Sequence, residues 1–204
     1  MMIKKKHLLV CLSTALLFVS CGRENLNLIV RISTPAHHVE TGYRMLAMNK
    51  VDDAFREFNY AAGLSPKYAP AYIGMALVHG MKQEAEKGMK SLELANRYTR
   101  GKTQELDFQV GTMRFFITMR EKWKDHWLEH TETAFQKAQL LSINAPAPYY
   151  FMGRAYEMSG RFDQAAKKYF RVMEIGGKYL EESTDAYKKM EEKAGRQESI
   201  KHEK

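Results

Sequence analysis

Side chains able to do chemistry are sparse in this chain, and their densest group is His126-Trp127-Leu128-Glu129-His130. Histidines four residues apart share one face of a helix and can hold a divalent metal, with Glu129 beside them to act on a bound water. The chemistry such a run would serve is metal-dependent hydrolysis, which also requires a third protein ligand and an open coordination position. His37-His38 is the other histidine pair, but adjacent residues diverge on a helix and do not share a metal. No G-x-S-x-G, H-E-x-x-H, phosphate loop or dinucleotide fingerprint occurs. Trp123 and Trp127, four apart, read as core packing, and no cofactor is expected. The remaining reactive group is the thiol of Cys21.

The H-x-x-E-H order resembles the inverzincin peptidases. That resemblance implies a third ligand, a glutamate on a downstream helix of a larger α/β domain, whereas this chain shows no strand signals. His126 and His130 are therefore read first as helix-surface histidines, second as an adventitious metal site, and last as the centre of a zinc-dependent hydrolase.

Cys21 follows a leader. Lys4, Lys5 and Lys6 precede the apolar stretch Leu8 to Val19, and Ser20 stands just before the cysteine, the order of an export signal. The apolar run is shorter than the roughly 20 residues a membrane span needs and gives way to Gly22, Arg23 and Glu24. Phe18-Val19-Ser20-Cys21 resembles the lipobox of bacterial lipoproteins, with Phe18 where leucine is usual. The resemblance implies lipidation of Cys21 as the mature N-terminus, and multiple acyl chains there make a durable anchor. Gly22, rather than aspartate, after the cysteine implies the outer membrane, with the body facing the periplasm. Palmitate or a similar acyl group is the modification implied. Of the two cysteines in the chain, Cys11 lies in the leader, so the mature chain has no internal disulfide and no cysteine metal site.

The whole sequence of 204 residues carries 32 Lys+Arg against 24 Asp+Glu, a net charge of +8. Loss of residues 1–20 removes three lysines and no acids, which lowers the net charge from +8 to +5. The excess is spread through mixed-sign segments such as Glu181 to Lys204, so nucleic acid is not an expected partner.

The elements that must position any site are set by a repeat. Gly42, Ala54, Phe58, Ala61 and Pro66 form one copy; Ala76, Gly88, Leu92 and Ala95 a second; Gly153, Ala165, Tyr169 and Val172 the last. Ala54 to Gly88 is 34 residues, and so is Thr131 to Ala165, with Phe135 and Ala138 in a third, less regular copy. A period of this size marks helical solenoids. The pattern predicts paired helices at 35–48 with 51–64, 69–82 with 84–98, 103–123 with 127–142, and 146–159 with 162–175. An amphipathic helix over 178–194 follows, with Leu180, Ser183, Tyr187 and Met190 on one side. Turn signals fall at Ser65-Pro66, Gly160-Arg161 and Gly176-Gly177, and Asp52 and Asp163 begin second helices, where a carboxylate meets the positive end of the dipole. The interval from Gly88 to Thr131 is 43 residues, nine beyond the period, and the expectation is that the surplus lengthens the third pair's first helix.

Tyr149, Met152, Gly153 and Tyr156, then Ala165 and Tyr169, resemble the tetratricopeptide-repeat (TPR) pattern, as do Gly42, Ala54, Phe58 and Pro66, and Tyr72, Met75, Ala76 and Leu92. The expected fold is all-α, a solenoid of about four hairpins with a C-terminal cap. The expected organisation is 1–20 signal peptide, 21–34 lipidated N-terminus and tether, 35–177 repeats (35–68, 69–102, 103–145 and 146–177), and 178–204 capping helix and charged tail. Leu26, Leu28, Ile29 and Val30 of the tether can pack on the first repeat.

The resemblance also implies a binding surface on the concave wall of first helices. Carried over residue by residue, it comprises Val39, Tyr43 and Leu46; Ile73, Leu77 and Met81; and Tyr150, Arg154 and Glu157. In the third repeat the surplus leaves two phases, with Phe116 and Arg120 as candidates. Of these, Tyr43, Leu77, Met81, Tyr150, Arg154 and Glu157 are the expected partner contacts. Val39 and Tyr43 stand where chaperone-tail binders carry lysine and asparagine, which disfavours that ligand. The expected function is a non-enzymatic, membrane-anchored TPR adaptor for a protein or peptide partner in the bacterial cell envelope, loosely similar to outer-membrane TPR lipoproteins that serve pilus-secretin or β-barrel assembly. A purely structural envelope lipoprotein is the alternative that needs no partner site.

Overall fold

A computed structural model describes residues 34–202 other than residue 125, with side chains as far as Lys193. The expected leader, Cys21 and the tether as far as residue 33 lie outside the described residues. The first helix, α1 (Pro35–Ala47), starts where the sequence supplies a cap: the Thr34 hydroxyl accepts from the His37 backbone N–H at 3.2 Å, and Pro35 takes the first helical position, where its missing N–H costs nothing. It is followed by α2 (Val51–Leu64), α3 (Ala69–Met81), α4 (Ala85–Tyr98), α5 (Gly101–Thr118), α6 (Trp127–Leu141), α7 (Pro146–Met158), α8 (Phe162–Ile175) and α9 (Leu180–His202). There is no strand among the described residues, and no helix there is long and apolar enough to cross a membrane. The expected all-α solenoid of hairpins is the observed fold.

Three hairpins turn in the same way. After α1, α3 and α7 the chain places Asn49, Gln83 and Gly160 at φ of 58°, 59° and 74°. The next residue then reaches back, Lys50 to the Met45 carbonyl, Glu84 to His79 and Arg161 to Tyr156, each at 2.9 Å. This left-handed C-terminal turn satisfies carbonyls that the helix end would leave free. Asp52 and Asp163 stand in the first turns of α2 and α8, as expected.

The repeat's small residues lie where helices touch. A Cβ added at Gly42 would come within 2.6 Å of the Phe58 ring, and one at Gly74 within 2.3 Å of the same ring. Phe58 is fully buried, so one aromatic from α2 fills the seam between α1 and α3, a burial that contributes about 2–3 kcal/mol. Gly153 and Tyr169 repeat the arrangement at 2.8 Å, and Gly88 admits Phe115 of the next hairpin at 2.3 Å. The last hairpin is closed by α9: Met190 and Ser183 are fully buried, and Met190 packs with Ala165, Ala166 and Tyr169. Leu180, expected on the same buried side, is 41% exposed at the first position of α9.

The third hairpin departs from the expectation. Instead of one helix over 103–123, α5 ends at Thr118, and residues 119–124 enter a long turn in which the Met119 carbonyl accepts from the Lys122 and Trp123 N–H groups. The surplus is thus divided between a longer helix and a longer turn. The turn leans on the second hairpin: Lys122 donates to the Gln83 carbonyl at 3.1 Å, and Gln83 donates to that of Thr118 at 3.3 Å. Counted back from the helix end, Met113 holds the place that Gly42, Ala76 and Gly153 hold elsewhere. It is fully buried and packs with Trp127, Phe135 and Met152. At Gly111 the backbone closes on α3, so that a Cβ there would meet Ile73 at 2.3 Å. On the far side, α4, α5 and α6 leave a cleft of about 530 Å³ lined by Met89, Leu92, Phe108 and Phe116 with Glu93 and Lys137.

Candidate interaction surface

The first helices of three hairpins converge on one side chain. Arg114, on α5, has its guanidinium carbon 5.5 Å from the ring centre of Tyr43 on α1 and 5.4 Å from that of Phe151 on α7. The close approach of α5 to α3 at Gly111 lets an α5 side chain reach past α3 to α1. Counting from the helix end, Arg114 stands at the repeat place of Tyr43 and Arg154, which identifies the phase of the third repeat. Asp107, two helical turns earlier, belongs to the same stripe. Burial raises the pKa of its carboxyl, opposed by the nearby Lys178. Burial likewise raises that of the Tyr43 phenol, with Arg114 acting in the other direction.

A fourth element completes the wall. Gly176 and Gly177, at φ of 75° and 78°, turn the chain out of α8, and Tyr179 follows at φ 70°. A bulky residue there is strained, at a cost of roughly 1–3 kcal/mol. Its ring is held by stacking on Tyr150, with centres 4.3 Å apart and planes 7° from parallel, and by an edge contact to Phe151 at 5.6 Å. Lys178 lies 5.1 Å from the Tyr179 ring centre.

The expected contact residues divide accordingly. Tyr43, Tyr150, Arg154 and Glu157 are half-buried on first helices, and Met81 is 38% exposed. Tyr150 is covered on one face by Tyr179. Glu157 is already engaged: it accepts from the Tyr169 hydroxyl at 2.9 Å and lies 3.8 Å from Lys189. Burial and then Glu157 raise the pKa of the Tyr169 phenol. Leu77 does not serve as a contact residue. It is 4% exposed and packs with Ala76, Leu92, Phe115 and Phe116, because the tight α3–α5 junction encloses it. Val39 and Ile73 are buried as well. Of the third-repeat candidates, Phe116 is core, and Arg120 is half-buried and pairs with Glu121 at 3.3 Å.

The histidine run is divided too. His126 is exposed and 3.5 Å from Glu129, whereas His130 lies face-on against Phe116, 4.5 Å between centres and 16° from parallel, with Trp123 at its edge. Among the described residues no three His, Cys, Asp or Glu side chains come together to hold a metal. Among those residues the run thus gathers no third ligand of the kind a catalytic zinc requires.

Sequence reasoning missed Arg114, Asp107, Phe151 and Tyr179. The charged run Arg120-Glu121-Lys122 was the available signal, since it reads as a turn and would have ended the helix near Met119.

No protein-family model and no curated protein matches this sequence. Solved structures do match. A thermophilic TPR protein of Thermus thermophilus superposes with a TM-score of 0.64 at 15% identity, over 79% of this chain and 84% of that one. PilF of Pseudomonas aeruginosa gives 0.39 at 14% identity, over 83% of this chain and 97% of that one. The first of these, together with the nine helices and absence of strands among the described residues, shows that the chain has the TPR fold.

Proposed function

We propose that this chain is a non-enzymatic adaptor, anchored by a lipid on Cys21 and carrying on its inner face a docking surface for a protein segment of a bacterial envelope assembly. The observation that carries the docking part is the convergence of α1, α5 and α7 on Arg114, with Tyr43, Phe151, Tyr150 and Tyr179 around it. Arginine amid aromatic rings is the composition of interface hot spots. What supports the anchor is the order Lys4–Lys6, Leu8 to Val19, Ser20 and Cys21, and what supports a surface role over a catalytic one is that the histidine run gathers no third ligand among the described residues. Solenoids of stacked hairpins present long concave walls suited to protein partners.

Two measurements test the two parts. A photo-crosslinking residue at Arg154 is expected to give a discrete protein adduct in cells, and one at Leu140, 89% exposed on α6, to give none. Equal adducts from both positions would remove the inner face from the account. For the anchor, the wild type partitions into detergent and Cys21→Ser does not; a wild type found wholly in the aqueous phase refutes lipidation.

A further inference from the structure

We propose that the inner face takes an extended acidic segment, with the carboxylate of an internal Asp or Glu seated on the Arg114 guanidinium. The inference rests on the adaptor reading and names the chemistry of its partner.

The first observation is a contrast among arginines. Arg44 donates to the Thr41 hydroxyl and Arg100 to backbone carbonyls, while Arg56, Arg97, Arg120, Arg161 and Arg171 meet carboxylates. Arg114 and Arg154 alone have neither a hydrogen bond nor an ion pair among the described residues whose side chains are given, and both stand on the inner wall. An arginine on a mixed-charge surface ordinarily finds an acceptor, and these two have none among the described residues.

The second observation is environment. Arg114 is half-buried and lies over the rings of Tyr43 and Phe151, which attract the cation but accept none of the five in-plane N–H bonds a guanidinium can make to oxygen. A partly desolvated cation without an acceptor is costly, and a carboxylate meeting its fork with two parallel N–H···O bonds removes that cost. The wall's own acids do not serve. Glu157 is engaged by Tyr169 and sits near Lys189, and Asp107 faces Lys178 two helical turns from Arg114. The centre of the wall is therefore left positive by Arg114 and Arg154.

Position decides between an internal carboxylate and a chain terminus. Arg114 belongs to the third hairpin and has rings of the first and fourth on its two sides, so a bound chain continues in both directions from the anchored residue. The rings of Tyr43, Phe151 and Tyr179 then flank that residue, which favours apolar neighbours on either side of the acid.

The test is selection of random peptides, displayed with no free C-terminal carboxylate, on the immobilised full chain. The expected result is enrichment of Asp or Glu at one position between apolar residues. A synthetic peptide from the enriched set and its Glu→Gln or Asp→Asn version are then titrated against the wild type and Arg114→Gln. Each single change is expected to weaken binding about tenfold, the scale of a hydrogen bond to a charged group, and the double change no more than either alone. Arg120→Gln is expected to leave affinity unchanged. Arg114→Lys keeps the charge without the fork and is expected to fall between wild type and Arg114→Gln, so the proposal can still be judged if Arg114→Gln unfolds. Enrichment of neutral or basic sequences, a peptide acid whose removal weakens Arg114→Gln as much as wild type, or binding only to peptides with a free C-terminus overturns the acidic-segment proposal while leaving the adaptor reading. Enrichment of nothing overturns both.

Discussion

The last hairpin and the third are built from the same repeat, yet one is closed on itself and the other is open. In α7 and α8 a glycine faces a tyrosine ring across the seam, and a three-residue turn with Gly160 left-handed joins them. In α5 and α6 a methionine occupies the small residue's place, a longer connection replaces the tight turn, and a cleft remains toward α4. Strict spacing produces close seams and leaves little of the hairpin free. Relaxed spacing lets α5 lean on α3 through Gly111 and carry Arg114 into the middle of the wall. The departure from the period is thus where the proposed binding chemistry concentrates.

The contrast can be broken most forcefully at Met113. In the open hairpin this side chain fills the space that elsewhere is closed by backbone contact, so Met113→Ala leaves a cavity and is expected to cost about 3 kcal/mol. Chemical denaturation measures it, and a cost under about 1 kcal/mol would mean that the hairpin collapses to a closed seam as the others do. Gly153→Leu attacks the closed hairpin from the opposite side, driving new atoms into the Tyr169 ring at an expected cost of about 2 kcal/mol. A thermal melt that matches the wild type would show that this seam has slack.

Smaller effects sharpen the comparison at the ends. The Ser183 hydroxyl is fully buried and has no hydrogen-bond partner among the described residues, so Ser183→Ala is expected to stabilise the cap of the last hairpin by about 1 kcal/mol; a lowered melting temperature counts against this. The tight turn of the second hairpin is reinforced by Glu84, whose carboxyl is held at about 2, below its usual 4.5, by Lys87 first and then His79. Because the folded pKa is depressed, its contribution is complete above about pH 4.5 and is lost as pH falls toward about 2. The stability difference between wild type and Glu84→Gln is expected to shrink across that window, and a constant difference would assign Glu84 a role independent of its charge.

Helix pairs and their seams were legible because glycine or alanine opposite Phe58, Leu92 or Tyr169 leaves a periodic trace in sequence. The phase of the third pair was not, because extra residues can be absorbed in a helix or in a turn without altering the count between flanking repeats. Burial of Leu77 was illegible for a related reason. It follows from how closely α5 approaches α3, a distance set by Gly111 against Ile73, and Gly111 stands outside the repeating pattern of small residues. Tyr179 was hidden in a loop whose Gly176-Gly177 pair announced a turn but not the direction in which the next aromatic would point.

Trp123 and Trp127, the two tryptophans of the chain, both belong to the open hairpin: Trp127 is buried beside Met113 and Phe135, and Trp123 meets Phe116 and His130. Their ultraviolet emission therefore reports on a single unit of the stack, while far-ultraviolet dichroism averages over every helix. In an array whose units touch mainly their neighbours, the two signals need not change together. Recorded on one sample, their coincidence or separation measures how far melting propagates through the array.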